Sequence, residues 1–334
     1  MDASRLRHHA RNGVLAALLS AILLGLAPIF GKLALREGMD PFALVLLRTG
    51  SAAVILWSAF LLFGRRYIFI YPVGFIACAT AGIINGIGSL FFYSGLAALD
   101  ASLAQLLYSI NPLVLVFLLR MDGQPISRLT IARLILALPA VYLLTSQSQH
   151  RGQIQGIIFM LIGAVAYATH LAITQRTLRD MPSQTVTLYT LSVMAITVSP
   201  WGLWALWTRT PLSETSSIAW SGVIGLTLVT AMSRLSLFVG VKRLGGLQAA
   251  LLGLSELLVS LVSALIFFNE QLTLTQWIGA AILIVSVGLV GREPELSAHH
   301  ASYGWLAWMY GLFEKLQPPP ELPPLPVKKA AGDK

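Results

Sequence analysis

Long apolar runs alternate with short polar connections from residue 13 to residue 291. A helix of about 18 or more apolar residues crosses the roughly 30 Å hydrocarbon core of a bilayer. The predicted spans are 13–35, 41–63, 68–97, 101–119, 128–146, 153–175, 184–208, 216–241, 246–268 and 273–291. Because the connections are short, neighbouring helices are expected to be antiparallel. The pattern therefore predicts an all-α integral membrane protein with ten transmembrane helices.

Basic residues in the connections predict the orientation of these helices. If residues 1–12 form a cytoplasmic segment, the inner connections hold Arg5, Arg7, Arg11, Arg65, Arg66, Arg120, Arg128, Arg176, Arg179, Lys242 and Arg243. The outer connections then hold Lys32, Arg36, Arg151 and Arg209. An excess of inner basic residues is the rule for membrane proteins, so both termini are predicted to be cytoplasmic. The first run has no small-residue cleavage site, and we expect it to be retained rather than removed as a signal peptide.

Composition agrees with a lipid-facing surface. The chain is 56% hydrophobic and 11% charged, whereas soluble domains carry about 25% charged residues. The net charge of +9 comes from basic residues that occur singly or in pairs between apolar runs, so a nucleic-acid partner is not expected. The single cysteine, Cys78, excludes an intramolecular disulfide and a cysteine zinc cluster.

The tail, residues 292–334, has a different character. Its residues 302–316 are predicted to form an amphipathic helix at the membrane interface. The apolar face of this helix would consist of Trp305, Trp308, Met309, Leu312, Phe313 and Leu316. The segment after it is rich in proline and lysine and is predicted to be polyproline-like or disordered, either as a solvated end or as a docking segment for a partner.

The two halves of the chain resemble each other. Residues 13–57 align with 156–200 at an offset of 143, and 93–107 align with 238–252 at an offset of 145. The predicted repeats, 13–146 and 153–291, contain five helices each. An odd number inverts the second repeat in the membrane, and inverted repeats are typical of secondary transporters. A duplicated bundle with a purely structural role is the alternative.

Residues 238–291 resemble a known family. Their segments V-K-R-L-G-G-L-Q-A-A-L-L-G-L-S-E-L-L and F-F-N-E-Q-L-T-L-T-Q-W-I-G-A-A-I-L-I-V-S-V-G are similar to the second EamA repeat of the drug/metabolite transporter superfamily. In the first half, L-L-R-T-G-S-A-A-V-I-L and S-I-N-P-L-V are similar to the first repeat. The resemblance implies export of amino acids or other metabolites across a cell (inner) membrane. Two positions depart from the family's pattern. Leu257 stands where the family usually has a proline, directly after the glutamate. In the first half M-D-G-Q-P replaces the family's usual G-E turn, so Glu270 of the second half has no counterpart there.

Glu256 is the sharpest candidate for a functional residue. It lies about ten residues into the ninth predicted helix, near the bilayer centre, and aligns with Asn111 at the offset of 145. Inverted-repeat transporters hold their ligand where such equivalent helices meet. A carboxyl group there could exchange a proton for substrate. The alternative is a structural Glu256 that is hydrogen-bonded to a neighbouring helix.

Two arginines and a histidine are further candidates at membrane depth. Arg48 either attracts an anionic group such as a carboxylate or snorkels to the outer interface. Arg234, which is deeper, pairs with Glu256 or lines the cavity. His170 has the chemistry for proton exchange, although a packing role is the alternative.

Three polar residues around the third and fourth helices complete the candidate substrate site. Tyr93, Gln105 and Tyr108 have a spacing that could direct them to one cavity. Aromatic and amide walls suit small zwitterionic or aromatic ligands. Tyrosines anchored at the membrane interface are the alternative.

These features predict a secondary transporter for small molecules rather than an enzyme. The chain has no phosphate-binding G-x-x-x-x-G-K-[ST] motif, so exchange or proton coupling is the expected energy source. No metal or cofactor is predicted. The alternatives are a membrane-embedded enzyme acting on lipid or isoprenoid substrates, for which the acidic residues are too scattered, and a channel or membrane scaffold.

Overall fold

The computed structural model describes residues 3–99, 104, 107–108, 110–123, 126–145, 154–210, 215–268 and 274–288. Gln105, the predicted interfacial helix 302–316 and the proline- and lysine-rich end lie outside the described residues. Within these ranges the regular structure is entirely helical. The helices are α1 (Ala3–Arg36), α2 (Pro41–Phe63), a 3₁₀ turn (Arg65–Tyr67), α3 (Pro72–Ala98), α4 (Asn111–Met121), α5 (Arg128–Thr145), α6 (Ile154–Asp180), α7 (Ser183–Thr208), α8 (Ser217–Leu244), α9 (Gly246–Gly253), α10 (Ser255–Phe268) and α11 (Leu274–Gly288).

Six of these helices are long and apolar enough to cross a membrane: residues 11–36 of α1, together with α2, α3, α6, α7 and α8. They coincide with six of the predicted spans, and the bounds of α2 agree with the prediction at both ends. Shorter helices occupy the other four predicted spans. The count of ten membrane crossings and the cytoplasmic position of the termini stay predictions.

Local sequence explains where the long helices begin and end. The Asp40 side chain accepts a hydrogen bond from the backbone N–H of Phe42 at 2.8 Å, and Pro41 occupies the first helical position, so α2 begins there. Ser216 caps α8 in the same way. Between α8 and α9 the chain turns at Gly245 with φ of 88°, a conformation that favours glycine.

The predicted fourth and ninth spans are not continuous helices over their described residues. In the ninth span, α9 ends at Gly253 and α10 begins at Ser255, whose hydroxyl donates to the carbonyl of Leu252 at 2.7 Å. In the fourth span, α4 begins at Asn111 and has Pro112 in its first turn. Proline lacks the backbone N–H that would donate to the carbonyl four residues before it, here that of Tyr108, which explains the second break.

Helix packing is unchanged when the two halves are exchanged. Helix α1 packs against α8, and its equivalent α6 packs against α3. Two further pairs, α2 with α7 and α5 with α11, each consist of a helix and its own equivalent in the other half. The contact between α1 and α10 is likewise equivalent to the contact between α6 and α4. This pattern is expected when a two-fold axis relates two repeats. Whether the repeats are inverted in the membrane follows from the number of crossings, and it stays a prediction.

Glycines bring the equivalent helix pairs close together. Gly95 of α3 and Gly240 of α8 are equivalent at the offset of 145. A Cβ at Gly95 would lie 2.6 Å from the Met160 sulfur, and a Cβ at Gly240 would lie 3.0 Å from the Ala17 Cβ. Met160 and Ala17 are themselves equivalent at the offset of 143. Small residues at such contacts let membrane helices pack at short distance.

Polar contacts tie the helix ends together at both ends of the bundle. At one end, Asp122 after α4 forms a buried ion pair with Arg176 of α6 at 3.0 Å. At the other end, Asp40 forms an exposed ion pair with Arg209 at 3.2 Å. At this second end, the Lys32 ammonium also donates to the carbonyls of Leu96 in α3 and of Leu99 directly after it, at 2.8 and 2.9 Å.

Replacing Gly240 with leucine is expected to destabilise the bundle, because the larger side chain cannot fit against α1. Overpacking of this kind costs about 1–3 kcal/mol of the free energy of unfolding, measurable by titrating the purified protein with sodium dodecyl sulfate. Gly50→Ala is the control, since the nearest atom to a Cβ there is 3.9 Å away. Equal stability of Gly240→Leu and wild type would show that α1 and α8 do not pack closely at this position.

Candidate functional site

A cavity of about 70 Å³ lies between helices of both halves. Its walls come from α1, α2, α3, α6, α8 and α10, and from Tyr108 just before α4. The volume is enough for a few water molecules. Three charged side chains line it: Arg48, Arg234 and Glu256.

Arg48 turns into the bundle rather than toward the lipid interface. Its side chain is buried, with Nη1 donating to the Thr230 hydroxyl at 3.3 Å and Nη2 donating to the Ser89 hydroxyl. The guanidinium group also lies over the ring of Tyr93, with Cζ 4.6 Å from the ring centroid. These three partners come from α3 and α8, so Arg48 joins α2 to helices of both repeats.

Arg234 lines the cavity from α8 without a close ionic partner among the described residues. It is 9% exposed, and its Cζ lies 5.6 Å from the centroid of the Tyr167 ring. Glu256 is near enough to interact electrostatically, but the two side chains do not form an ion pair within 4.0 Å. Of the two alternatives for Arg234, the structure shows the cavity-lining one.

Glu256 lies in the first turn of α10, directly after the break at Leu254. Free backbone N–H groups in the first turn favour a carboxylate. In the described part of the chain, the Glu256 carboxylate accepts no hydrogen bond and forms no ion pair, so the structural alternative of a hydrogen bond to a neighbouring helix is not seen. Helix α1 passes close to this turn: a Cβ added at Gly25 would lie only 2.7 Å from the Glu256 carbonyl oxygen.

Glu256 and Arg234 share one depth in the bundle. Each is eleven residues from Gly245, the turn between α8 and α9. With a rise of about 1.5 Å per helical residue, both lie about 16 Å from that turn, close to the centre of a bilayer core about 30 Å thick.

The other predicted site residues divide between the cavity wall and a second layer. Tyr93 and Tyr108 line the cavity. Asn111 is buried behind the wall, where its amide nitrogen donates to the Tyr108 carbonyl at 2.9 Å. His170 is also behind the wall: its ring lies between Tyr167 and Phe238, and Nδ1 is 3.2 Å from the Ala81 carbonyl.

Several lining residues were not predicted from the sequence as members of the site. The most prominent are Tyr167, Asn85, Ser89, Thr230 and Ser233. The repeat contains a signal for them, because cavity residues occur in equivalent pairs. At the offset of 145 the pairs are Asn85 with Thr230, Gly88 with Ser233, and Ser89 with Arg234; at the offset of 143, Leu24 pairs with Tyr167.

The chemistry of the cavity suits binding of a small polar molecule. Two guanidinium groups and a carboxyl group supply charge, while hydroxyl and amide groups and the rings of Phe92 and the tyrosines complete the wall. Among the described residues, no group of three or more His, Cys, Asp and Glu side chains is placed to hold a metal ion.

Comparison with known proteins identifies relatives over most of the chain. The EamA-like transporter family matches residues 11–146 and again residues 154–292. An uncharacterized transporter of Archaeoglobus fulgidus is 25% identical over 288 residues, which are 85% of this chain and 97% of the archaeal protein. The uncharacterized transporter YwfM of Bacillus subtilis is 25% identical over 166 residues, 48% of this chain and 53% of YwfM. One crystal structure superposes on this chain with a TM-score of 0.65 at 17% sequence identity. The match spans 84% of this chain and 96% of the chain in the crystal structure, which shows a shared fold.

Cysteine scanning along α8 should distinguish the cavity wall from the packed interior. In a Cys78→Ala background, Ser233→Cys is expected to react with a small hydrophilic thiol reagent about tenfold or more faster than Thr227→Cys, because the reactive thiolate forms where water reaches the sulfur. Thr227 is also buried, at 4% exposed against 0% for Ser233, but it does not line the cavity. Met232→Cys, which faces outward, is the lipid-side control. Equal labelling of Ser233→Cys and Thr227→Cys would contradict the assigned cavity wall.

Proposed function

The chain belongs to the EamA-like transporter family of multi-pass membrane proteins, as its sequence resemblance predicted, and on that premise we propose that it is a secondary active transporter of small metabolites such as amino acids. It works by alternating access, with proton coupling or exchange as the energy source. Export across the cell (inner) membrane completes the proposal and rests on the family resemblance.

The observation that carries this proposal is the charged cavity between the two repeats. Arg48, Arg234 and Glu256 come from three helices and meet where the equivalent helix pairs α1–α8 and α3–α6 adjoin. A charged group at this depth is costly, since the hydrocarbon core offers no water, and such groups usually mark a substrate or ion site. A binding site at the interface of two repeats is the arrangement that inverted-repeat transporters use.

The contacts at the two ends of the bundle supply a basis for alternating access. Under the proposed topology, the buried Asp122–Arg176 pair closes the cytoplasmic end, and the Asp40–Arg209 pair lies at the outer end. Opening either end must break its own set of contacts while the other set stays intact. The cavity lies between the two, which supports a carrier rather than a continuous pore.

Glu256 is the proposed coupling residue. Its carboxylate has no hydrogen-bond or close ionic partner among the described residues, and it lines the same cavity as Arg234. A carboxyl group in this position is free to bind a proton or a substrate group in turn. His170 is less suited, because its Nδ1 faces the Ala81 carbonyl and its ring is packed behind the wall.

Glu256→Gln is expected to abolish substrate-driven proton movement in proteoliposomes while retaining substrate binding, because the amide cannot release a proton. The assay measures internal pH across a panel of amino acids and other small metabolites. The matched control is Glu37→Gln, which replaces an exposed carboxylate that accepts a hydrogen bond from Ser216. Proton movement that persists in Glu256→Gln would exclude Glu256 as the coupling group, and the absence of any transported metabolite would count against a transporter.

Asp122→Asn should destabilise the protein strongly, since it leaves Arg176 charged in a buried position. Removing one partner of a buried ion pair costs about 3–5 kcal/mol, whereas the exposed pair probed by Arg209→Gln should cost about 1 kcal/mol or less. The free energy of unfolding in detergent measures both. Adding Arg176→Met to Asp122→Asn should recover part of the loss, and no recovery would mean that Asp122 acts through other partners.

A further inference from the structure

We propose that the cavity selects a small organic acid that carries one net negative charge, with its carboxylate held between Arg48 and Arg234. The proposal rests on the proposed function in taking the cavity as the substrate site. It goes further by assigning the charge of the ligand and the residues that set it, and it narrows the metabolites and amino acids proposed above to acids with one net negative charge, acidic amino acids among them.

The charge of the cavity wall follows from its three ionisable side chains. Arg48 and Arg234 are guanidinium groups, which stay protonated in proteins. If Glu256 exchanges its proton for substrate, the form that loads substrate has Glu256 deprotonated, and the described wall then carries a net charge of +1. The positions on either side of Tyr108 in the sequence that lie outside the described residues, 105, 106 and 109, are Gln, Leu and Ser and carry no charge.

Both guanidinium groups have unused hydrogen-bonding capacity. Nε of Arg48 and one terminal nitrogen of Arg234 are buried without a hydrogen-bond partner among the described residues. The two groups are also close enough to repel each other electrostatically. A buried donor without an acceptor is costly, and more so when it is charged. An anionic acceptor between the two arginines relieves both costs.

The aromatic neighbours do not neutralise this charge. Each guanidinium lies over a tyrosine ring, Arg48 over Tyr93 and Arg234 over Tyr167. Such a contact is attractive but adds no negative charge. The rings instead supply an apolar surface for the body of the ligand, while a planar carboxylate matches the guanidinium fork.

Counting charge separates a monoanion from the alternatives. A ligand with net charge −1 makes the loaded site neutral. A zwitterion can pair its ammonium with Glu256 and its carboxylate with one arginine, but it leaves the site at +1. A cation raises the charge to +2. Because net charge inside a membrane protein is costly, the neutral complex is favoured.

Four ligands with one aromatic body test this assignment on the purified full-length protein in an uncharged detergent. They are 3-phenylpropanoate (−1), phenylalanine (zwitterion), phenethylamine (+1) and phenylsuccinate (−2). Wild type is expected to bind 3-phenylpropanoate at least about tenfold more tightly than phenylalanine, the equivalent of one charge-assisted hydrogen bond. The shift of the thermal unfolding midpoint with ligand concentration gives the affinities.

Variants of the wall should change the preferred charge in opposite directions. Arg234→Gln makes the site neutral and should remove the preference for 3-phenylpropanoate over phenylalanine. Glu256→Gln makes it +2 and should shift the preference toward phenylsuccinate. Arg234→Lys keeps the charge and should keep the wild-type order, so it controls for loss of the side chain's packing.

The proposal is overturned if wild type binds phenylalanine or phenethylamine as tightly as 3-phenylpropanoate, if no anion stabilises it, or if Arg234→Gln retains the wild-type order. Flux of the bound ligand in proteoliposomes is measured separately. A monoanion preference without flux would contradict the transport function and support the charge assignment. Flux together with tighter binding of phenylalanine would support the transport function and contradict the charge assignment.

Discussion

The cost of burying charge among apolar helices is the constraint on which the arrangement depends. Two guanidinium groups and one carboxyl group meet in the centre of a bundle whose outer surface is apolar. The structure offsets part of this cost with the hydroxyls of Ser89 and Thr230 and with two tyrosine rings. We propose that a bound anionic ligand offsets the remaining cost.

The repeat provides the framework that places these charges together. Equivalent helices pair in the same way in both halves, and equivalent glycines such as Gly95 and Gly240 allow the close approach. The charges themselves break the symmetry, because Arg234 is equivalent to Ser89 and Glu256 to Asn111. The two ends also differ, one tied by a buried ion pair and the other by an exposed one. A two-fold scaffold thus carries an asymmetric site.

Much of this fold can be predicted from the sequence, since apolar runs mark the membrane helices and Asp40-Pro41 marks the start of α2. The family resemblance was confirmed as well. The break at Leu254 could not be predicted, because no proline marks it. Tyr167 was missed because an aromatic residue on an apolar helix is usually a packing residue. The inward direction of Arg48 depends on Ser89 and Thr230, which are distant in sequence, so periodicity within α2 contains no signal for it.

Counterflow in proteoliposomes tests the central claim, that the cavity is the ligand site of a carrier. Vesicles are preloaded with unlabelled 3-phenylpropanoate and diluted into a trace of the labelled compound. A carrier whose site faces the two sides in turn predicts a transient accumulation of label above equilibrium, and Arg234→Gln should remove it. Label that only equilibrates, with no overshoot in wild type, would contradict the account and indicate a pore or a protein that does not transport this ligand.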